Sequence, residues 1–490
     1  MKRNISNLSF RTFDLLIIGG GINGAAIANI ASLNRLNVAL IEKGDFASGT
    51  SGKSTKLLHG GLRYLENFEF GLVAESLRER SIQVKSAPHL VKILPFIIPV
   101  YRNDPRPLWK MRLGVWLYDV LSGKYSLGRH QTLSAAEVLE WIPGLKADNL
   151  KGGVLYYDAQ MNDARLCLEN VLMAQERGAA AANYVEMQSF LKDNGRCNGV
   201  KARDNISGRT FEIKAKHIVC AAGVWTDEIF KKDRPGATAQ IRATKGAHIL
   251  YRKRLSDAAL FLQSASDGRI FFIIPWQDHS MIGTTDTDFS NSPDDVRPEK
   301  EDIDYLIVQA QRFFPNEPFR REDITGSFAG LRPLVKAQGS PSKVSRKHKI
   351  RVSESGVVYV MGGKYTTYRV IAEDALKKII KHPLIDTSRH YPLYGGGDVH
   401  DDLNHVSREY GVGVDIVKQL IEIYGTRYRE VLKSAAGVSV AKGQMIYAVE
   451  HEMAVTAEDI LQRRLGLWEH QQEYRTVAES VIRKIENLSS

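Results

Sequence analysis

A short basic segment, KSTKLLHGGLRYLE, contains the residue types best suited to chemistry on an anion. It places Lys53, Lys56 and Arg63 close in sequence to His59 and a Gly-Gly pair. Guanidinium and ammonium groups bind phosphate oxygens, and a histidine with an ordinary pKa of about 6.5 can accept a proton at neutral pH. The segment therefore predicts a site where a small anion meets a reacting group. Two alternatives are a strip for nucleic acid and a solvated turn, in which the lysines are surface charges and His59 only caps the turn.

A second group of residues, in DLLIIGGGINGAAIANIA, is suited to holding a pyrophosphate. Gly19, Gly21 and Gly24 match G-x-G-x-x-G, with an apolar run before them and helical spacing after them. The glycines permit a tight turn, a close approach of backbone to the pyrophosphate, and close packing of helix on strand. Glu42 ends the next apolar run, Val38–Ile41, where it would accept hydrogen bonds from a ribose. Together these residues predict a dinucleotide site at the N-terminus of a helix.

Two later segments repeat the order of strand, glycine turn and helix. His217–Cys220 leads into a turn containing Gly223, and VVYVM leads into Gly362 and Gly363. Each could be an ordinary turn of a doubly wound sheet. A long FAD molecule that contacts the sheet at several carboxyl strand ends explains all three turns together, so we expect FAD rather than NAD.

The composition indicates a globular protein of two or three domains. The chain has 490 residues, of which 43% are hydrophobic and 25% charged, and a formal net charge of +11. That charge favours anionic partners, although it could serve only solubility. Because no zinc-finger, RRM or KH signature accompanies it, we expect no nucleic-acid partner. No apolar run reaches the roughly 18 residues of a membrane span.

The cysteine and histidine patterns argue against a metal or disulfide framework. The three cysteines, Cys167, Cys197 and Cys220, form no CxxC pair, which favours reduced thiols and a cytoplasmic location. HEMAV begins like a zinc-peptidase motif, but Val455 replaces the second histidine. Thr456 and Asp459 instead predict the capped start of a helix. We therefore expect no metal.

Seven blocks in register resemble the FAD-dependent glycerol-3-phosphate dehydrogenases, the respiratory enzymes of bacteria and mitochondria. The blocks are DLLIIGGGINGAAIA, STKLLHGGLRYLE, TKGAHI, IPWQDHSMIGTTDTD, AGLRPL, GGKYTTYR and YAVEHEMAVTAEDILQRRL. The resemblance implies oxidation of sn-glycerol 3-phosphate to dihydroxyacetone phosphate, with electrons passed to membrane quinone. The alternatives are a related FAD amine or amino-acid oxidase, a glycerophosphate oxidase that uses oxygen, and a non-catalytic flavoprotein that binds RNA or membrane.

The resemblance also implies roles for individual residues. The substrate-binding residues are Arg63, Tyr64, Arg346 and Lys364, and the catalytic residues are Arg332, His59 and His248. Further cofactor contacts are implied for Thr50, Ser51, Gly223, Gly362, Gly363 and Thr366. Since a guanidinium is a poor base, we expect His59 or His248 to take the hydroxyl proton and Arg332 to stabilise the alkoxide. Thr284, Thr285 and Asp286 are expected to shape a turn near the site.

The implied fold is α/β, with a glutathione-reductase-like FAD-binding domain, an interleaved β-rich substrate domain and a C-terminal α-helical cap. We expect residues 1–90, 150–235 and 345–395 in the first, 91–149 and 236–344 in the second, and 396–490 in the third.

Access to quinone requires contact with a membrane, and the segment RPLWKMRLGVWLYDVL is the candidate for that contact. It joins two tryptophans and several leucines to basic residues, a composition typical of an interfacial segment on anionic lipid. The alternative is a buried helix of the substrate domain. The expected location is the cytoplasm, with peripheral attachment to the inner face of the cell membrane, and a homodimer is left open.

Overall fold

The computed structural model describes residues 3–264, 266–336, 347–385, 391–467 and 472–489. Strands and helices alternate up to Leu376, after which the described elements are all helical. The strands of the described residues are, in chain order, β1 Phe13–Ile18, β2 Val38–Ile41, β3 Leu57–Leu58, β4 Val91–Tyr101, β5 Gln131–Leu133, β6 Leu150–Met161, β7 Ala180–Ala182, β8 Val185–Asp193, β9 Arg196–Asp204, β10 Thr210–Cys220, β11 Ile241–Tyr251, β12 Ala259–Gln263, β13 Ile270–Trp276, β14 His279–Gly283, β15 Thr287–Asp288, β16 Ile324–Val335, β17 Lys349–Val352 and β18 Val358–Met361.

The α-helices of the described residues are α1 Ser6–Ser9, α2 Ile22–Leu33, α3 Phe70–Ser86, α4 Leu108–Ser122, α5 Ala135–Trp141, α6 Asp163–Glu176, α7 Thr226–Asp233, α8 Lys300–Phe313, α9 Tyr368–Leu376, α10 Leu403–Tyr410, α11 Val414–Tyr424, α12 Tyr428–Ser434, α13 Val440–His451 and α14 Gln472–Ser489. A π-helical segment, Asp459–Arg464, lies between the last two.

The first sheet carries the three predicted glycine turns at one edge. Its strand order is β17-β18-β10-β1-β2-β7, and β8 and β9 extend it through β10. β1 pairs in parallel with β2 and β10, and β10 pairs in parallel with β18. Because parallel strands end at the same edge, Gly19, Gly223 and Gly362 follow strands that finish side by side.

The first sheet is buried on both faces, which explains the continuous apolar run in β1. Leu15 and Ile17 pack in one cluster with residues of α2, α6 and α9. Leu16 and Ile18 pack in another cluster with residues of β8, β9 and β10. The alternation of side chains along a strand sends neighbouring residues to these two different cores.

The second sheet is larger and mostly antiparallel. Its strand order is β15-β11-β14-β13-β12-β4-β6-β3, with β16 paired to β11 and β5 paired to β6. One apolar cluster joins it to α3 and α4, and another joins it to α5 and α8. The predicted α/β fold, its second β-rich region and its helical C-terminal region are confirmed.

β3 and β6 are strands of the second sheet, which is not the sheet expected from their place in the sequence. These strands fall in the ranges expected for the FAD-binding domain, but they pair with each other in the second sheet. β6 also pairs with β4 along its whole length, from Met161 to Leu150. Residue 150 therefore begins a strand of the second sheet.

The C-terminal helices form two small apolar clusters of their own. Residues of α10, α11 and α12 with Tyr447 of α13 make one, and residues of α13, α14 and the π-helical segment make the other. The described helices are all too short or too polar to reach across a bilayer.

Candidate functional site

A cavity of about 960 Å³ is lined by both sheets. Ile18 and Ile41 at the ends of β1 and β2 contribute to its wall, as do Gly246, Phe272 and Leu334 of the second sheet. The predicted site residues that line it are Gly19, Gly21, Glu42, Thr50, Ser51, His59, Arg63, Tyr64, Gly223, His248, Arg332, Gly362, Gly363, Lys364 and Thr366. Gly24 lies behind the wall, and Arg346 lies outside the described residues.

The glycine turn between β1 and α2 cannot accept larger residues at two of its positions. A Cβ on Gly24 would lie 1.9 Å from the carbonyl oxygen of Gly19. Gly19 has a φ of +110°, and a Cβ there would lie 2.7 Å from the carbonyl oxygen of Ala221. The turn thus brings the start of α2 close to the ends of β1 and β10, as the motif predicts.

Glu42 is fixed in the cavity wall by backbone donors. Its Oε2 accepts the N–H of Gly20 at 2.7 Å, and its Oε1 accepts the N–H of Gly44 at 2.9 Å. Burial raises the pKa of Glu42, and these two hydrogen bonds oppose that rise. The carboxylate is therefore held at the end of β2, where a ribose hydroxyl could donate to it.

Thr50 and Ser51 connect the segment after β2 to its neighbours. The Oγ of Ser51 accepts the N–H of Ile22 at 2.9 Å, at the first turn of α2. The Oγ1 of Thr50 donates to the carbonyl of Leu331 in β16 at 2.6 Å. Both hydroxyls thus shape the cavity wall by contacts within the protein.

These residues fit a flavin dinucleotide. The cavity volume lies near the upper end of the roughly 300–1,000 Å³ usual for ligand pockets. Gly19 and Gly21 leave the backbone accessible, and the N-terminus of α2 suits a pyrophosphate. Val185 donates its N–H to the carbonyl of Glu42 at 2.7 Å, and with Met187 it forms an apolar wall that suits a purine.

Arg332 is held by oxygen atoms of the turn after β14. Its Nη2 donates to the Oγ1 of Thr284 at 2.9 Å and to the carbonyl of Thr285 at 3.3 Å. Its Nη1 donates to the Oδ1 of Asp286 at 3.2 Å. A Cβ on Gly246 would lie 2.4 Å from Arg332 Nη2, so this glycine provides room for the guanidinium. The turn predicted from these residues holds the arginine against the cavity.

Lys364, Tyr64 and Arg63 line the same cavity although they come from distant parts of the chain. The Nζ of Lys364 lies 3.9 Å from the centre of the Tyr64 ring and 3.4 Å from the Oγ of Ser76. Tyr64 therefore positions the ammonium group by a cation–π contact. Both residues also lie beside Gly61, where a Cβ would come within 2.2 Å of the Tyr64 ring.

His248 is buried in the wall of the cavity. Its Nε2 lies 2.9 Å from the Oγ1 of Thr55, and its ring stacks on Phe328 at 4.8 Å between centres. Nδ1 is enclosed and makes no hydrogen bond to the described residues. Burial, followed by the charges of Arg332 and Lys56, lowers the pKa of His248 well below its ordinary value. His248 is therefore neutral at physiological pH.

His59 is half-buried and its backbone is tightly held. Its N–H donates to the Oγ1 of Thr366 at 3.3 Å, and the same hydroxyl donates to its carbonyl at 3.3 Å. The next residue, Gly60, donates its N–H to the Tyr118 hydroxyl at 2.7 Å, and that hydroxyl donates to Asp158. The segment that carries His59 is thus anchored to both α4 and β6.

The interpretation of Lys56 as a solvated charge is wrong. The lysine is 2% exposed, and its Nζ pairs with the Oδ1 of Asp163 at 2.5 Å. The other carboxylate oxygen of Asp163 accepts the N–H and the hydroxyl of Ser54 at 3.0 and 2.7 Å. The pair fixes the start of the basic segment on α6, so Lys56 is structural.

Lys53, Arg106 and Arg269 also line the cavity, although none of them was predicted as a residue of the site. Arg106 bridges Glu66 at 2.7 and 2.9 Å and the Oε1 of Gln263 at 2.7 Å. Burial, followed by the charge of Arg463, lowers the pKa of Lys53. No local motif places Arg106 or Arg269 at this cavity, because their positions depend on loops of the second sheet.

Comparison with known proteins places these features in a family. Residues 14–369 match the family of FAD dependent oxidoreductases, and residues 387–488 match the C-terminal domain of alpha-glycerophosphate oxidase. A solved L-alpha-glycerophosphate oxidase from Mycoplasma pneumoniae, with FAD bound, has a TM-score of 0.60 at 18% identity, covering 78% of this chain and 98% of its own. That likeness shows the fold alone.

Two other relatives are more similar. An aerobic glycerol-3-phosphate dehydrogenase from Staphylococcus aureus (strain USA300) is 35% identical over 494 residues, covering 95% of this chain and 88% of its own length. The glycerol-3-phosphate dehydrogenase from Bacillus halodurans, solved in complex with FAD, has a TM-score of 0.81 at 31% identity, covering 99% of this chain and 92% of its own. The resemblance carried by the seven sequence blocks is confirmed, and the chain belongs to the FAD-dependent glycerol-3-phosphate dehydrogenase family.

Proposed function

We propose that this protein oxidises sn-glycerol 3-phosphate to dihydroxyacetone phosphate with FAD as its cofactor. The observation that carries the proposal is the presence of Arg63, Arg332 and Lys364 on one cavity with the dinucleotide turn. An amine or amino-acid substrate carries no phosphate dianion, so a site for it would not require several cations.

Arg63 and Lys364 are the proposed phosphate ligands. A guanidinium offers forked donors and an ammonium adds a compact charge, and the two together suit a dianion. Tyr64 holds Lys364 in place through its ring. Arg346 is proposed as a further ligand from its place in the family pattern, and it lies outside the described residues.

The alcohol must lose a proton and a hydride. FAD, when bound, accepts the hydride. Arg332 keeps its charge at any physiological pH, so it stabilises negative charge on the substrate oxygen rather than removing the proton. We assign the proton to His59, because protonated His248 would be enclosed and would face the charges of Arg332 and Lys56.

The proposal is tested by substrate choice in the full-length holoprotein with a soluble redox dye as acceptor. The dye is expected to be reduced with sn-glycerol 3-phosphate and not with glycerol or glycine. Oxidation of glycine, or equal rates with glycerol, would contradict the assignment.

To assign the base, we expect His59→Ala to remove the acidic limb of the pH profile of kcat, whereas His248→Ala is expected to retain it.

We further propose that membrane quinone accepts the electrons. Aromatic side chains of the second sheet, Phe96, Tyr156, Phe261 and Phe272, line the cavity together with the polar site. A triose phosphate has no apolar face to pack against these aromatic rings, whereas a quinone ring would pack against them. Anaerobic turnover with a short-chain quinone is the expected result. Turnover that requires oxygen and releases peroxide in stoichiometric amounts would favour the oxidase alternative.

The segment proposed to contact the membrane is α4, which has two apolar faces. Met111, Val115 and Tyr118 are buried against the second sheet. The opposite positions are exposed, with exposed fractions of 66% for Trp109, 54% for Leu113, 52% for Trp116 and 55% for Val120. Phe68, which is 78% exposed, follows a turn that packs against this helix. We propose that this face lies in the headgroup region of an anionic membrane at the cytoplasmic side.

Flotation with vesicles of anionic lipid tests this proposal. The variant Trp109→Ser/Trp116→Ser is expected to lose most of its vesicle binding, and Lys110→Glu/Arg112→Glu to lose the part that salt screens. Trp141→Ser is a matched control, because Trp141 is also exposed but lies on α5. Equal binding by the double-tryptophan variant and the control would place the contact elsewhere.

A further inference from the structure

A buried cluster of charges joins the C-terminal helical domain to the segment that follows β2. We propose that Arg463 and Arg464 are positioning residues for FAD. Through Asp45 they hold residues 42–51 in the conformation that forms the cofactor cavity. The inference concerns retention of the cofactor and does not depend on the substrate.

Asp45 is the centre of the cluster. Its Oδ2 accepts the Nε of Arg463 at 2.6 Å and the Nη1 of Arg464 at 2.5 Å. Its Oδ1 accepts the Nη2 of Arg464 at 3.0 Å and the Nδ2 of Asn183 at 2.9 Å. Burial alone would raise the pKa of Asp45, but the charges of Arg464 and Arg463 outweigh it and lower the pKa to about 2. The carboxylate is therefore ionised and fully occupied by donors.

Residues beside Asp45 contact the glycine turn directly. The N–H of Ala47 donates to the carbonyl of Gly20 at 3.2 Å, and the Phe46 ring lies where a Cβ on Gly20 would come within 2.5 Å. Glu42 accepts the N–H of Gly20, and Ser51 caps the first turn of α2. A shift of Asp45 would therefore move both the ribose acceptor and the wall behind the pyrophosphate turn.

The arginines are themselves rigidly placed by the π-helical segment. Asp459 accepts the N–H groups of Val455 and Thr456 at 2.8 and 2.9 Å and the hydroxyl of Tyr184 at 2.8 Å, and it also pairs with Arg463. The Nη2 of Arg464 donates to the carbonyl of Glu452 at 2.7 Å. π-helical turns occur often at functional sites. Because this one is fixed at both ends, a shift of the C-terminal domain would move Arg463 and Arg464 and, through them, Asp45.

Buried ion pairs hold two domains together less favourably than apolar packing would. Burying charged groups costs solvation energy that apolar packing would avoid, and in the proposed role the ion pairs fix the geometry of residues 42–51. The same domain joint contains a second buried pair that does not contact residues 42–51. Arg165 Nη1 donates to the Oε1 and Oε2 of Glu452 at 2.7 and 2.9 Å. This pair provides a matched control.

The experiment measures FAD release from full-length holoprotein, as the recovery of free-flavin fluorescence after dilution, beside the melting temperature of each sample. Asp45→Asn and Arg464→Lys are expected to release FAD about tenfold faster or more, the size expected when a buried charged hydrogen bond is weakened. Arg463→Gln is expected to have a smaller effect in the same direction. Glu452→Gln changes the side chain that pairs with Arg165 and keeps the main-chain carbonyl that accepts Arg464. It is expected to lower the melting temperature but to keep the release rate within about twofold of the unchanged protein.

Two results would overturn the inference. One is an equal acceleration of FAD release by Glu452→Gln, which would make the joint a general source of stability. The other is an unchanged release rate in Asp45→Asn and Arg463→Gln. If Arg464→Lys does not fold, these two variants decide the comparison with Glu452→Gln in the same way.

Discussion

Arg332 combines a permanent charge with a fixed orientation. Its side chain contacts Thr284, Thr285 and Asp286, and the absence of a side chain at Gly246 leaves space for it. A preorganised cation stabilises charge that develops during a reaction more than charge already present in the substrate. Arg332 is therefore expected to act on turnover more than on binding.

We expect Arg332→Lys to lower kcat/KM for sn-glycerol 3-phosphate by about 10²–10³-fold, mainly through kcat. A lysine keeps the charge but cannot reach the three oxygen partners together. Steady-state kinetics with a soluble dye measures the change, with Arg269→Lys as the control on the same cavity. A rise in KM alone would show that Arg332 only binds substrate.

His248 gives a prediction about stability and pH. Its folded-state pKa is lowered by burial and then by Arg332 and Lys56, so below about pH 6.5 the unfolded chain binds a proton that the folded chain does not. The stability it contributes is thus present above that pH and lost as the pH falls, by at most about 1.4 kcal/mol per pH unit. His248→Gln is expected to lose less stability than the unchanged protein between about pH 7 and about pH 5.5. Urea unfolding at both pH values measures this, and equal losses would contradict a neutral buried His248.

At the scale of elements, the glycine turn shows how local sequence can fix a site. Gly19 and Gly24 are in contact because α2 lies directly on the end of β1. The contact requires the absence of a side chain at Gly24, and no flexible group is available to move aside. The turn should therefore be sensitive to a single methyl group.

Gly24→Ala is expected to abolish stable FAD binding and to lower the melting temperature, because its Cβ would lie 1.9 Å from the Gly19 carbonyl oxygen. Gly114→Ala in α4 is the matched control, since nothing lies within 4 Å of its Cβ. The control is expected to raise the free energy of unfolding by about 0.5–1 kcal/mol through helix propensity. Flavin content after purification and denaturant unfolding measure both effects. A Gly24→Ala protein that retains its full content of bound FAD would contradict the packing argument.

The same elements show what sequence can and cannot predict. The apolar run Leu15–Ile18 and its glycines predicted β1, the turn and α2, because each signal is local. The partner of Lys56 was not predictable, since Asp163 is 107 positions away and meets it only in the folded chain. That β6 pairs in the second sheet was not predictable for a related reason, because an apolar strand carries no local signal of the sheet it joins.

At the scale of the whole molecule, the cavity depends on three regions that the chain visits in turn. The first sheet supplies the glycine turns, the second supplies Arg332 and His248, and the C-terminal domain supplies the arginines that hold Asp45. Arg63, Arg332 and Lys364 were predicted as one group only through the family pattern, because residues so far apart in sequence share no local signal.

The most direct test of the central claim is made without oxygen. The purified full-length protein, loaded with FAD, is mixed with sn-glycerol 3-phosphate while the visible absorption band of the flavin is recorded. The cation-lined cavity predicts rapid loss of that band with sn-glycerol 3-phosphate and no loss with the same concentration of glycerol. An unchanged band with the phosphoester, or equal bleaching by glycerol, would contradict the proposed substrate and the role of the three cations.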